Sequence, residues 1–291
     1  MADADPGEGG AGRKDPPFPF VRALRAAIAW LVGPDDPAAA DLAHGTAFLP
    51  ALGGLVGLAL GLVAVAASDL LPGVLLAPLL VMALAVIQRG GGPRAILEGT
   101  AALLTGPATG AGADAGVEST DAASPASDSG GVAPRDAESA SPVPGLGALS
   151  IASLAVAFLL VAKALAIAAL HGRALGIALV LAGILGRWAQ VVQAYGSIPR
   201  PGDSFAEALC RGCAFREFGI ASVSAMLLVL ALANAVGLVL LFAVAAGTIA
   251  LRILAHRRGG PSRTSIEAGG ELAETTTLLL AALLARLIAP G

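Results

Sequence analysis

The chain has 291 residues, 56% of them apolar and 13% charged, with a mean hydropathy of +0.80. An ordinary water-soluble domain has close to half its residues apolar and about a quarter charged, so that class is excluded and a lipid bilayer is the expected partner. A net charge of −3 gives no basis for a nucleic-acid partner, and 4% aromatics argue against a β-barrel with its aromatic girdles.

The fold class this predicts is all-α, a polytopic membrane helical bundle of about seven spans. Residues 1–20 are acidic and rich in Gly and Pro, lack the basic-then-apolar order of a signal peptide, and read as a disordered tail before a membrane domain over 21–291. Val21 to Gly33 is too short to cross, and Arg22 and Arg25 make it an interfacial helix. Ala47 to Ser68 and Leu70 to Gln88 are uncharged apart from Asp69 between them and read as a tight helical hairpin of two spans. Ala95 to Thr105 reads as a half-helix buried among its neighbours. Residues 106–145 hold Ala, Gly, Ser, Pro, Asp and Glu without Leu, Ile or an aromatic, and read as a disordered polar insertion.

Ala148 to Leu170 and Ala174 to Tyr195 follow as spans, with only Lys163 and Arg187 charged inside them. Phe218 to Leu251 is uncharged and too long for one ordinary span, so two are predicted, divided near Asn234 to Gly237. Glu271 to Pro290 is the last. With this count, one side of the bilayer holds Arg13, Lys14, Arg22, Arg25, Arg89, Arg94, Arg135, Arg200, Arg211, Arg216, Arg252, Arg257, Arg258 and Arg263, and the other holds Arg173. The positive-inside rule then puts the N-terminus in the cytoplasm and the C-terminus outside.

Cys210 and Cys213 form a lone C-x-x-C pair with no second pair and distant histidines, which reads as two small apolar residues. Ionisable side chains within spans are costly and therefore informative. Lys163 and Arg187 point to a polar cavity, whereas Arg286, near the chain end, reads as snorkelling to an interface. Glu267, Glu271 and Glu274 recur at helical spacing and line one face able to hold a divalent cation, with Thr264 and Glu267 also matching a capping box. Arg200, Arg211 and Arg216 read either as ordinary cytoplasmic-side basic residues or as a cradle for phosphate groups.

Four segments carry a resemblance to one family: AFLPALGGLVGLALG from Ala47, LLVAKALAIAAL ending at Leu170, GRWAQVVQAYGSIPRPG, and GGPSRTSIEAGGELAE. Their order and spacing resemble the cobalamin-5′-phosphate synthases, also called adenosylcobinamide-GDP ribazoletransferases. That resemblance implies a transferase of cobalamin biosynthesis in the bacterial inner membrane. It would join adenosylcobinamide-GDP to α-ribazole or its 5′-phosphate and release GMP with magnesium. It also implies Glu271 and Glu274 as catalytic acids and, with Glu98, as metal ligands, and Lys163, Arg187 and Arg200 as phosphate-binding residues. Corrinoid nucleotide and ribazole are the implied small-molecule partners, with a homo-oligomer or other enzymes of the pathway as protein partners. The chain departs from the family pattern where an aspartate-rich run after the second span is replaced by RGGGPRAILEGTAALLTG, and where VPGLGALS stands for an aspartate-serine-arginine motif. Two alternatives therefore stay open: a catalytically impaired paralogue that binds a corrinoid or serves as a scaffold, and a small-solute transporter built around Lys163 and Arg187.

Overall fold

A computed structural model of the chain describes residues 20–32, 38–87, 95–98, 100 and 146–288. The predicted tail and the 106–145 insertion lie outside them. The regular structure among the described residues is all helical, with no strand: α1 (Phe20–Val32), α2 (Ala39–Gly45), a 3₁₀ turn (Thr46–Phe48), α3 (Leu49–Ser68), α4 (Gly73–Ile87), α5 (Leu146–Ala168), α6 (Gly172–Ala194), α7 (Ser204–Gly212), α8 (Phe215–Arg257) and α9 (Arg263–Ile288).

Among the described residues, five stretches are long and apolar enough to cross a membrane: Asp41–Ser68, Ser150–Ala168, Gly172–Ala194, Phe215–Arg257 and Arg263–Leu287. The bundle exposes large apolar side chains and encloses a few charged ones within an apolar core. Leu55, Leu62, Met82, Leu154, Phe158, Leu227 and Phe242 are exposed, while Lys163, Arg187, Glu271 and Glu274 are buried. Water drives the opposite distribution, so this surface suits hydrocarbon. α4, at 15 residues, spans about 22 Å of the roughly 30 Å core. The predicted α3–α4 hairpin is joined by a turn at Asp69–Pro72, in which the Leu71 amide bonds to the Ala67 carbonyl at 2.9 Å. Its arms take different main partners, however: α3 packs chiefly on α6 and α4 on α5.

Glycine explains the first of these pairings. A Cβ on Gly53 would lie 2.2 Å from the Gly183 carbonyl oxygen, one on Gly57 would lie 2.5 Å from the Leu179 oxygen, and one on Gly61 would lie 3.0 Å from the Gly176 oxygen. The backbones of α3 and α6 thus touch along a four-residue glycine repeat, the close approach that replaces hydrophobic driving force between helices in lipid. α6 is central. From Leu175 to Ala194 nearly every side chain is at least half-buried, as a helix surrounded by α3, α8 and α9 requires.

α8 is not one rod. Asn234 adopts φ 49° and ψ −134°, outside helical space, and beyond it the chain folds back. A Cβ on Gly237 would lie 2.7 Å from the Val229 carbonyl oxygen, whereas residues eight apart in an unbroken helix stand about 12 Å apart. Both ends of α8 meet the end of α6: Phe218 stacks on Tyr195 with centroids 4.3 Å apart, and an Arg252 guanidinium N–H donates to the Val192 carbonyl at 3.3 Å. The break falls where the length of the apolar run predicts it.

Amphipathic α1 buries Ala23, Ala26, Ala27 and Leu31, exposes Phe20, Val21 and Ile28, and keeps Arg22 and Arg25 at the surface. Residues 95–98 are helical where the half-helix is expected.

Candidate functional site

α5, α6 and α9 bring four charged side chains together inside the bundle. The Lys163 ammonium donates to Glu271 Oε1 and, at 3.3 Å, to Glu274 Oε2. Arg187 Nη2 stands 4.0 Å from Glu274 Oε1, and its Nη1 donates to Gln190 Oε1 at 3.2 Å. All five residues are buried, Lys163 to 2% exposure. Their local sequence allows this. Glu271 and Glu274 lie one turn apart on α9, and Arg187 and Gln190 lie one turn apart on α6, so each helix presents a two-residue polar stripe to the other.

Glycines again provide the room. A Cβ on Gly186 would fall 2.3 Å from Glu274 Cγ, and one on Gly270 would fall 2.7 Å from Gln190 Nε2. A void of about 20 Å³ adjoins Arg187 and Glu274, between Gly53, Gly57 and Gly183. Two cations face two carboxylates, so the cluster is neutral as a whole. In a medium of low dielectric that balance is the condition for burying any of the four.

This arrangement gathers Lys163, Arg187, Glu271 and Glu274 from the expected set and leaves out the other two. Arg200 lies at the arginine-rich end of the bundle, where its amide donates to the Pro261 carbonyl at 3.0 Å and its guanidinium to the Arg258 carbonyl at 3.2 Å. Glu98 is exposed, and among the described residues no three His, Cys, Asp or Glu side chains gather as a metal set. Magnesium asks for one or two available carboxylates with water completing the shell. Here the Lys163 ammonium bridges the two carboxylates where such an ion would sit, and Arg187 adds a second positive charge. The four side chains as placed do not fit a divalent cation.

The three-glutamate face divides. Glu267 is half-buried near the start of α9, where it accepts from Arg263 Nε at 3.0 Å, while Glu271 and Glu274 are deep. The start of α9 is closed by Ser262 and Ser265: the Ser265 amide donates to Ser262 Oγ at 3.2 Å, and the Ser262 amide donates to Ser265 Oγ at 2.8 Å. Reciprocal bonds of this kind make a capping box, placed two residues before the Thr264–Glu267 expectation. Asp203 joins the loops, accepting from the Ala206 amide at 2.9 Å to cap α7 and from the Arg263 amide at 2.8 Å to hold α9. Arg263 itself lies over the rings of Trp30 and Phe205, which stack 5.1 Å apart.

Cys210 and Cys213 are buried free thiols packed with Leu42, Ala43 and Val191, and Cys213 Sγ accepts from Thr46 Oγ1 at 3.6 Å. Burial pushes both thiols up to about 11, reinforced at Cys210 by its neighbours Cys213 and Asp203. Neutral, enclosed thiols are poor nucleophiles. Maleimide at pH 7.5 is therefore expected to label the denatured chain and leave the folded one unlabelled over the same minutes, read by intact mass. Equal labelling of both would contradict this packing.

Gln190, which accepts from Arg187, is a site residue that charge alone does not flag, and Gln193 continues its row along α6. Their signal is spacing, since Arg187, Gln190 and Gln193 recur every three residues in an otherwise apolar span. Compared with known proteins, the chain matches no family model, no curated protein and no solved structure.

Proposed function

We propose that this chain is a membrane protein of seven crossings, in the inner membrane of a bacterial cell, with its N-terminus and arginine-rich end in the cytoplasm. The folded-back α8 contributes two crossings and α4 the short one. On this reading it acts on corrinoid nucleotides. An acceptor hydroxyl of α-ribazole or its 5′-phosphate forms a bond to the phosphorus that carries the cobinamide, the bridging P–O bond breaks, GMP leaves, and the hydroxyl proton passes to solvent.

The observation that carries this reading is that the four segments behind the family resemblance close on one another. Gly53 of the first meets Gly183 and Arg187 of α6, Lys163 of the second meets Glu271 and Glu274 of the fourth, and Arg200 of the third meets Pro261 of the fourth. A second reading, a catalytically impaired paralogue that binds the corrinoid without turnover, is favoured by the Lys163 bridge between the only two acids of the cluster.

One experiment separates the readings. Purified full-length protein receives adenosylcobinamide-GDP and α-ribazole 5′-phosphate, with and without magnesium. GMP release above the no-enzyme control supports the transferase. Saturable binding of labelled adenosylcobinamide-GDP without GMP release supports the paralogue. The absence of both would dispose of corrinoid chemistry here.

A further inference from the structure

At the arginine-rich end, the first turns of α9, the last turns of α8 and the end of α6 enclose a cleft with about 160 Å³ of room. Its apolar wall is Leu251, Leu254 and Leu272, and its polar rim includes Arg200, Arg258 and Ser262. No acidic residue is among the described residues that line it. The two arginines stand together, tied by the bond from the Arg200 guanidinium to the Arg258 carbonyl. The first turn of α9 reaches the same space through Thr264 and Ser265, its leading amides already held by Asp203 and Ser262.

Gln193 marks the cleft as a site for a ligand. It lines the cleft at 2% exposure, and its Nε2 is a buried donor with no hydrogen-bond partner. Such a group is costly to bury unless an acceptor arrives. Position 269 is kept open for it, because a Cβ on Gly269 would fall 1.5 Å from that nitrogen. The Gln193 donor and the two arginines ask for negative oxygen, while the leucine wall asks for hydrocarbon or a flat apolar body.

We propose that this cleft binds the phosphate group of an amphiphilic molecule. Arg200, Arg258 and the Gln193 amide take its oxygens, and its apolar part lies along Leu251, Leu254 and Leu272. A membrane phospholipid and a soluble nucleotide both offer this chemistry. The inference stands apart from the transfer reaction, since a chain that releases no GMP still holds the cleft.

The test uses full-length protein in detergent, with two probes. Native mass spectrometry follows retention of phosphatidic acid against phosphatidylcholine, and equilibrium dialysis follows GDP. At least one phosphate probe is expected to bind. Preference for phosphatidic acid with no GDP binding assigns a lipid, and GDP binding assigns a soluble ligand. Arg258→Gln and Gln193→Glu are each expected to weaken that binding about tenfold or more, the scale of a lost charge-assisted hydrogen bond. Arg257→Gln, on an exposed neighbour outside the cleft, is expected to bind as the parent does. Binding of neither probe, or unchanged binding in whichever of the two cleft variants folds, would overturn the proposal.

Discussion

Replacing Lys163 with methionine is expected to cost about 3–5 kcal/mol of stability, because it strands Glu271 and Glu274 in the bundle with one cation between them. The reverse loss, Glu271→Gln, leaves two cations against one carboxylate and is expected to cost on the same scale. Joining the two changes restores one cation to one carboxylate, so the double variant is expected to lie above the sum of its parts by more than about 1 kcal/mol. Thermal unfolding in detergent, followed by size-exclusion chromatography, reads all three. A Lys163→Met protein that melts with the parent would remove the cluster from the account of folding. The same physics governs tests of catalysis: loss of activity in Glu271→Ala or Glu274→Ala is evidence of chemistry only in protein shown to be folded.

The glycine seam gives the second large effect. Gly183→Leu is expected to abolish recovery of monodisperse protein. Its Cβ would lie 2.2 Å from the Gly53 carbonyl oxygen, and backbone in the middle of two long helices has nowhere to yield. Gly247→Leu supplies the control. That glycine is exposed, and a Cβ there meets nothing within 4 Å, so normal yield is expected. Equal yields of the two variants would show that α3 and α6 do not depend on close backbone contact.

The elements were legible because hydrocarbon imposes a length rule that needs no partner: long apolar runs become long apolar helices. The break at Asn234 followed from the same rule, applied to a run too long to cross once. Packing partners were less legible. Nothing in the spacing within α3 or α4 says that the first prefers α6 and the second α5, although the glycines at 53, 57 and 61 name a helix that seeks another backbone. Lys163, Arg187, Glu271 and Glu274 stood out because charge inside an apolar run is costly. Their mutual pairing did not, because it depends on three helices meeting at one depth. The resemblance between segments groups Glu98 and Arg200 with them, whereas the loop after α6 carries Arg200 to the end of the bundle and the helical stretch at 95–98 leaves Glu98 exposed. Gln193, uncharged and undramatic in the sequence, acquired meaning only when its amide was seen without a partner.

The central claim is that these helices cross a bilayer with the arginine-rich connections on one face. Single cysteines placed in a Cys210→Ala, Cys213→Ala background at Ile198 and Arg257, and at Leu70, His171 and Asn234, can be labelled in sealed inside-out and right-side-out vesicles with a membrane-impermeant maleimide. Ile198 and Arg257 are expected to label in inside-out vesicles, and the other three in right-side-out vesicles. Labelling of both groups from the same face, or release of the chain from membranes by alkaline carbonate, would contradict the account.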